Sequence, residues 1–126
     1  ERGTVDMSTL LEYPFICREE CSGTREVISE YITELGINSN QVHLSMELGS
    51  PESIKGAVEA GMGVSIVSLA TIQKELKLGT LVCLNLDPVL ERPFSFVHQK
   101  QKFRHRAMDE LLEFAQNYCK SHPEAV

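Results

Sequence analysis

The chain has 126 residues, 42% of them apolar and 24% charged, with a net charge of −6. These values suit one ordinary globular domain and exclude disordered, fibrous and membrane classes. The negative balance argues against attraction to a phosphate backbone by this chain itself. No apolar run approaches the roughly 18 residues of a membrane span, and ERGTVDMSTL lacks the basic and apolar regions of a secretory signal, so a soluble, untargeted chain is expected.

In chain order, YPFIC (13–17) is a short apolar run that reads as a buried strand, followed by the polar loop REECSG. TREVISEYITELG then repeats Val27, Ile28, Tyr31, Ile32 and Leu35 at helical spacing, with Gly36 as its stop. QVHLSMELG alternates Val42, Leu44, Met46 and Leu48 against polar residues, the period of a half-buried strand with His43 on its polar face. SPESIKGAVEAG has Ser50 as N-cap, Pro51 at the first helical position, Glu52 in the first turn and Gly61 at the end. GMG is a turn, and VSIVSLA predicts a strand through Val64, Ile66 and Val67, after which Ser68 caps a short helix TIQKEL ending near Gly79. TLVCLNL and RPFSFVHQ predict two more strands, and a last helix runs from about His105 to Tyr118 with Met108, Leu111, Leu112, Ala115, Tyr118 and Cys119 on one face.

Strands and helices that alternate in this way imply crossover connections, hence an α/β fold with a mixed, mostly parallel sheet flanked by helices. On such sheets ligands bind outside the carboxyl ends of the strands. Three strand-to-helix turns lie there, ECSGT, LGSPE and VSLAT, each with Ser or Thr at or near a helix start. A helix N-terminus presents unpaired N–H groups and partial positive charge. In SGTR, Gly23 permits close backbone approach, the hydroxyls of Ser22 and Thr24 can donate to an oxyanion, and Arg25 can fork onto one. The competing reading is that Ser22 merely caps the helix while Arg25 and Glu26 face solvent.

Other chemistries find little support. Cys17, Cys21, Cys83 and Cys119 form no CxxC pair and have no histidines at zinc-binding distances, so neither metal nor cofactor is expected. Free thiols suit a reducing cytoplasm, although Cys21, just before a helix start, is a candidate reactive thiol. No nucleophile, dinucleotide or metalloprotease motif occurs, and Glu19, Glu20 and Glu26 read as a solvated run, so no catalytic residue is assigned. The stretch 91–106 holds five of the basic residues against Glu91 and reads as a solvated basic loop.

The strand followed by RE, SGTR opening a helix, the SxExIKxxVExGxGVxIxS pattern and RPxxxVxQK before an apolar helix, in this order, resemble the effector-binding region of bacterial LysR-type transcriptional regulators, from about Val5 to Ala115. The resemblance implies a periplasmic-binding-protein-like (type 2) lobe and a non-enzymatic, cytoplasmic regulator. It also implies a small anionic effector bound in a cleft between two lobes, and DNA contact only through an N-terminal domain expected to lie outside this chain. It further implies residues 1–12 as an incoming crossover, 13–86 as lobe two, and 87–126 as the returning strand and helix of lobe one. The effector residues carried over by position are Ser22, Gly23, Thr24, Arg25, Gly49, Ser50 and Ser68. The resemblance places part of lobe one outside this chain, so apolar surface at Phe94, Phe96, Leu111 and Leu112 is expected to need cover, and a homodimer or tetramer is expected. A fragment of a transport solute-binding protein, or of a dehydratase with the same two-lobed plan, are the alternatives.

Overall fold

The structure is a computed structural model that describes residues 3–92, 95–97 and 105–122. The chain divides into two compact units, Glu1–Glu91 and Arg92–Val126. In the first, the elements are β1 (Thr4–Asp6), α1 (Met7–Leu10), β2 (Phe15–Arg18), α2 (Gly23–Glu34), β3 (Leu44–Leu48), α3 (Pro51–Glu59), α4 (Gln73–Leu78) and β4 (Asn85–Asp87). Short 3-10 turns stand at Ser39–Gln41 and Leu69–Ile72.

β2 is the centre. Phe15 and Ile16 are fully buried, and successive side chains enter different cores: Phe15 and Cys17 pack with Ile28, Tyr31 and Ile32 of α2 and with Met7, while Ile16 packs with Ile54 and Ala57 of α3. A strand buried on both faces reads as a continuous apolar run, which is why YPFIC shows no alternation. β3 pairs with β2 in parallel, Cys17 opposite Glu47 and Arg18 opposite Leu48, with a register shift between Phe15 and Ile16. Val64 pairs with Phe15 in parallel as an isolated bridge. The spatial order is therefore β3, β2, Val64 segment. The chain moves one way through α2 and the other way through α3, and right-handed crossovers of that order put the two helices on opposite faces, where the two apolar clusters place them.

Two expected strands differ from expectation. After Val64 the run does not continue as a ladder: Ile16 O accepts the Ser65 hydroxyl at 2.8 Å, and the Ile66 N–H does not bond to it. Of TLVCLNL only Asn85 and Leu86 are strand, in β4, which pairs in parallel with β1 and not with β2, while Val82 and Leu84 are exposed. Every described pairing is parallel.

Gly63 is required sterically, since a Cβ there would lie 2.2 Å from the carbonyl oxygen of Pro14. That contact is close because the Val64 N–H donates to the same oxygen, which seats the GMG turn against the start of β2. α3 is joined to α4 by Lys55 Nζ, 2.9 Å from Glu75 Oε1, and to the chain just beyond α4 by Thr80 Oγ1 donating to Glu59 Oε1 at 2.5 Å.

In the second unit, α5 (Arg106–Ser121) is amphipathic and has no buried residue: Leu111, Phe114 and Tyr118 are exposed. Phe114, Tyr118 and His122 stack along one face, with centroids 6.2 and 4.3 Å apart. The strand expected over RPFSFVHQ falls partly outside the described residues, as do Phe94 and most of the basic stretch; residues 95–97 form no strand, and Phe96 and Val97 are exposed. No described helix is long and apolar enough to cross a membrane.

Gly63→Ala should destabilise the fold by roughly 1–3 kcal/mol by forcing the Pro14 contact apart. Gly56→Ala, in α3 with nothing within 4 Å of the new Cβ, should stabilise it by about 0.5–1 kcal/mol. Urea midpoints of the two variants measure both, and equal shifts would refute the steric account. The hydrogen bond from Lys55 holds the Glu75 carboxyl below its ordinary 4.5. A carboxyl lowered in the fold adds stability that is present above its unfolded value and is lost as pH falls through its folded value. The stability advantage of the wild type over Glu75→Gln should therefore shrink as pH drops below 4.5; a constant difference across acid urea melts would contradict it.

Candidate functional site

Parallel strands end on the same edge, so the turns after β2, after β3 and after the Val64 segment all open there. The first is a tight turn in which the Ser22 N–H donates to Glu19 O at 3.2 Å and Cys21 takes φ 67°, a left-handed conformation that costs a non-glycine residue about 1 kcal/mol. Its start is tied to the second turn, the Glu19 N–H donating to Leu48 O at 3.2 Å. Ser22 then opens α2, its carbonyl accepting the Glu26 N–H at 3.0 Å.

The three serines at these helix starts behave differently. Ser50 caps α3: its hydroxyl accepts the Ser53 N–H at 3.1 Å and meets Ser53 Oγ at 2.8 Å. Ser22 and Ser68 stand in the N-cap positions of α2 and of the Leu69–Ile72 turn, yet neither side chain makes a capping hydrogen bond. Ser68 contributes its carbonyl instead, accepting from the Thr71 N–H at 3.0 Å and from Thr71 Oγ1 at 2.7 Å. The expectation that Ser68 caps by its side chain is thus corrected, and so is the simple capping reading of Ser22.

The strand order reverses between β2 and the Val64 segment. From that point α2 leaves toward one face, and the chain into α4 leaves toward the face of α3, where Lys55 meets Glu75. A crevice at such a reversal is where open α/β sheets hold ligands. Ser22 and Ser68 follow the two strands that flank it, whereas Ser50 follows β3 at the edge. Gly23 is exposed and Thr24 half-buried at the first helical positions of α2. At Gly49 an added Cβ would meet nothing within 4 Å, so packing does not demand a glycine there.

Two arginines stand beside the first turn, both paired with carboxylates. Arg18 forks onto Glu19 through Nε and Nη2, each at 2.7 Å, and that hydrogen bonding lowers the Glu19 carboxyl to about 2. Arg25 Nη1 donates to Glu47 Oε2 at 2.5 Å and to Arg18 O at 3.1 Å, tying α2 to the ends of β2 and β3. The guanidinium is therefore paired through Nη1, on a side chain that stays 24% exposed. Burial is the first cause of the raised Cys17 thiol, while Cys21 is exposed. No group of three or more His, Cys, Asp or Glu suited to a metal occurs among the described residues.

The turns form an open ledge. Among the described residues, two shallow, open hollows lie elsewhere, one along Glu26, Ser29, Glu30, Thr33 and Glu34 and one by Ser8, Leu11, Glu12, Ile37 and Gln41. Sequence reasoning missed Arg18, Glu47, Lys55 and Ser65. Lys55 alone left a signal, as a charge inside the apolar stripe of Ile54, Ala57 and Val58.

Comparison with known proteins agrees with this geometry. The family model of the LysR substrate binding domain matches residues 1–120. The chain is 35% identical over 106 residues to a probable RuBisCO transcriptional regulator of Cyanidium caldarium, covering 83% of this chain and 33% of that protein. It is 36% identical over 115 residues to the HTH-type transcriptional regulator YeiE of Escherichia coli, covering 90% and 38%. The chain thus spans about a third of the length of these curated relatives. Among solved structures it is similar to the regulatory domain of CcmR from Synechocystis PCC6803, in complex with 2-PG, with TM-score 0.68 and 25% identity over 89% of this chain and 53% of that one. With the doubly wound parallel sheet, these matches establish that the chain belongs to the LysR substrate-binding domain family, with its periplasmic-binding-protein-like α/β fold.

Proposed function

We propose that this chain is the effector-sensing part of a LysR-type transcriptional regulator, not an enzyme, and that it binds a small anionic metabolite on the ledge formed by the three turns. The observation that carries the reading is the contrast among the serines. The hydroxyls of Ser22 and Ser68, at the point of strand reversal, are left out of capping, while that of Ser50 is spent on it. Hydroxyls at helix starts that do not cap are available to donate to an oxyanion beside the exposed amide of Gly23. Thr24 adds a second hydroxyl to the first turn, and Gly49 leaves room for a ligand beside Ser50. Arg25 belongs to the rim, where it fixes α2 against Glu47.

In this reading residues 13–86 are lobe two and the ledge becomes a cleft when a second lobe faces it, residues 87–126 returning to that lobe. An effector that touches both lobes favours one lobe arrangement and thereby alters the geometry of a dimer or tetramer. DNA is contacted by a separate N-terminal domain of the intact, cytoplasmic protein. 2-PG, the ligand in the CcmR complex, is the first probe.

Titration with 2-PG, followed by amide NMR, should move the signals of residues 22–24, 49–50 and 68. Ser22→Ala and Ser68→Ala should each weaken binding by about 1 kcal/mol, roughly fivefold, at unchanged melting temperature. Thr24→Val should also weaken the response. Ser50→Ala should instead lower stability by about 1 kcal/mol. If Ser22→Ala lowers stability and leaves the titration unchanged, its hydroxyl is a cap and the ledge reading is wrong.

A further inference from the structure

We propose that Lys55 is a positioning residue that fixes the third turn against the second, so that the Ser68 and Ser50 ends of the ledge move as one body. The inference rests on the ledge reading for its purpose, and on geometry alone for the clamp. Lys55 lies in α3 between Ile54 and Ala57, which are both buried, and is itself only 8% exposed. Lysine is rarely buried unless paired, and an ammonium has three N–H groups to place. Three acceptors surround this one: Glu75 Oε1 at 2.9 Å, Glu52 Oε2 at 2.9 Å and Thr71 O at 3.3 Å.

Local preference argues against a lysine here. An apolar side chain would suit the buried stripe as well or better. A residue that breaks its local rules points to a role beyond stability. The acceptors indicate that role, because Glu52 is in α3 itself while Thr71 and Glu75 belong to the 3-10 turn and to α4. Thr71 in turn grips Ser68 O through both its N–H and its hydroxyl. A continuous path therefore runs from Ser68 to Thr71, to Lys55, and along α3 to its cap at Ser50.

Little else among the described contacts restrains that turn. The segment before it is held to β2 by one isolated bridge and by Ser65 Oγ donating to Ile16 O, with Val67 packed against the α3 core; residues 68–71 are exposed, and Ile72 is the only buried side chain of the 3-10 turn. Thr80 and Glu59 join α3 to the chain beyond α4 only at the far end. Glu75 keeps one oxygen, Oε2, buried and without a hydrogen-bond partner. The pair is therefore not the best a lysine and a glutamate can form, and its geometry is set by the elements it joins.

Hydrogen exchange on the 126-residue chain tests the clamp without any ligand. Lys55→Met should speed amide exchange at 69–73 by about tenfold while α2 and β2 stay within about twofold. The exchanged pair Lys55→Glu with Glu75→Lys should restore most of the protection. Should Lys55→Met not fold, Glu75→Gln, which keeps an acceptor but loses the charge, should give a smaller loosening confined to 69–73. Lys55→Met should also raise the Kd for 2-PG about threefold to tenfold, with recovery in the exchanged pair. Unchanged exchange at 69–73, or a uniform rise across the first unit, overturns the clamp. Local loosening in a chain whose wild type shows no response to 2-PG upholds the clamp and counts against the ledge reading instead.

Discussion

Everything at the candidate site depends on β2 being buried on both faces. Phe15 and Ile16 are fully enclosed, yet they belong to different cores. Each large apolar side chain withdrawn from water contributes about 2–3 kcal/mol, so neither face can be left open. That constraint requires a helix on each side, and helices on both faces follow when the chain crosses over first to one neighbour of β2 and then to the other. Parallel neighbours bring their carboxyl ends to one edge. The edge that gathers the helix starts is thus a consequence of filling two cores with one strand.

The local chemistry of that edge separates structural from uncommitted groups. Ser50 satisfies an orphan N–H of α3, the ordinary duty of a serine before a helix. Arg18 and Arg25 are also occupied, with Glu19 and Glu47, so the rim is held together by charge pairs that cancel one another. Against this background, Ser22 and Ser68 stand out because their hydroxyls do not perform the duty that their positions offer. They also flank the reversal of strand order. Two independent features, one topological and one chemical, therefore point to the same place.

Much of the fold was legible because its signals are local. Apolar spacing marked α2 and α5, the cap and proline marked α3, and the unbroken apolar run marked β2. Failures arose where one side chain overrides a pattern. Beyond Val64 the Ser65 hydroxyl, and not the next backbone N–H, meets Ile16 O, and no count of β-branched residues in VSIV reveals that. TLVCLNL has strand composition, yet only three of its neighbourhood's residues find a partner, and that partner is β1. At the site, the turns were legible as turns and Ser50 as a cap, but the states of Ser22 and Ser68 were not. A serine before a helix looks the same whether it caps or not, and the difference is made by backbone geometry that the sequence does not print. Arg25 seemed a fork for an anion because its true partner, Glu47, is distant in sequence.

The central claim is that an anion binds where β2 and the Val64 segment diverge. Its most direct measurement is a crystal structure of the intact regulator carrying this segment, grown with 2-PG. The account predicts an anionic group of the ligand within about 3 Å of the Ser22 and Ser68 hydroxyls and of the first amides of α2. A bound ligand that contacts neither serine, with both hydroxyls turned back to their helix starts, would contradict it.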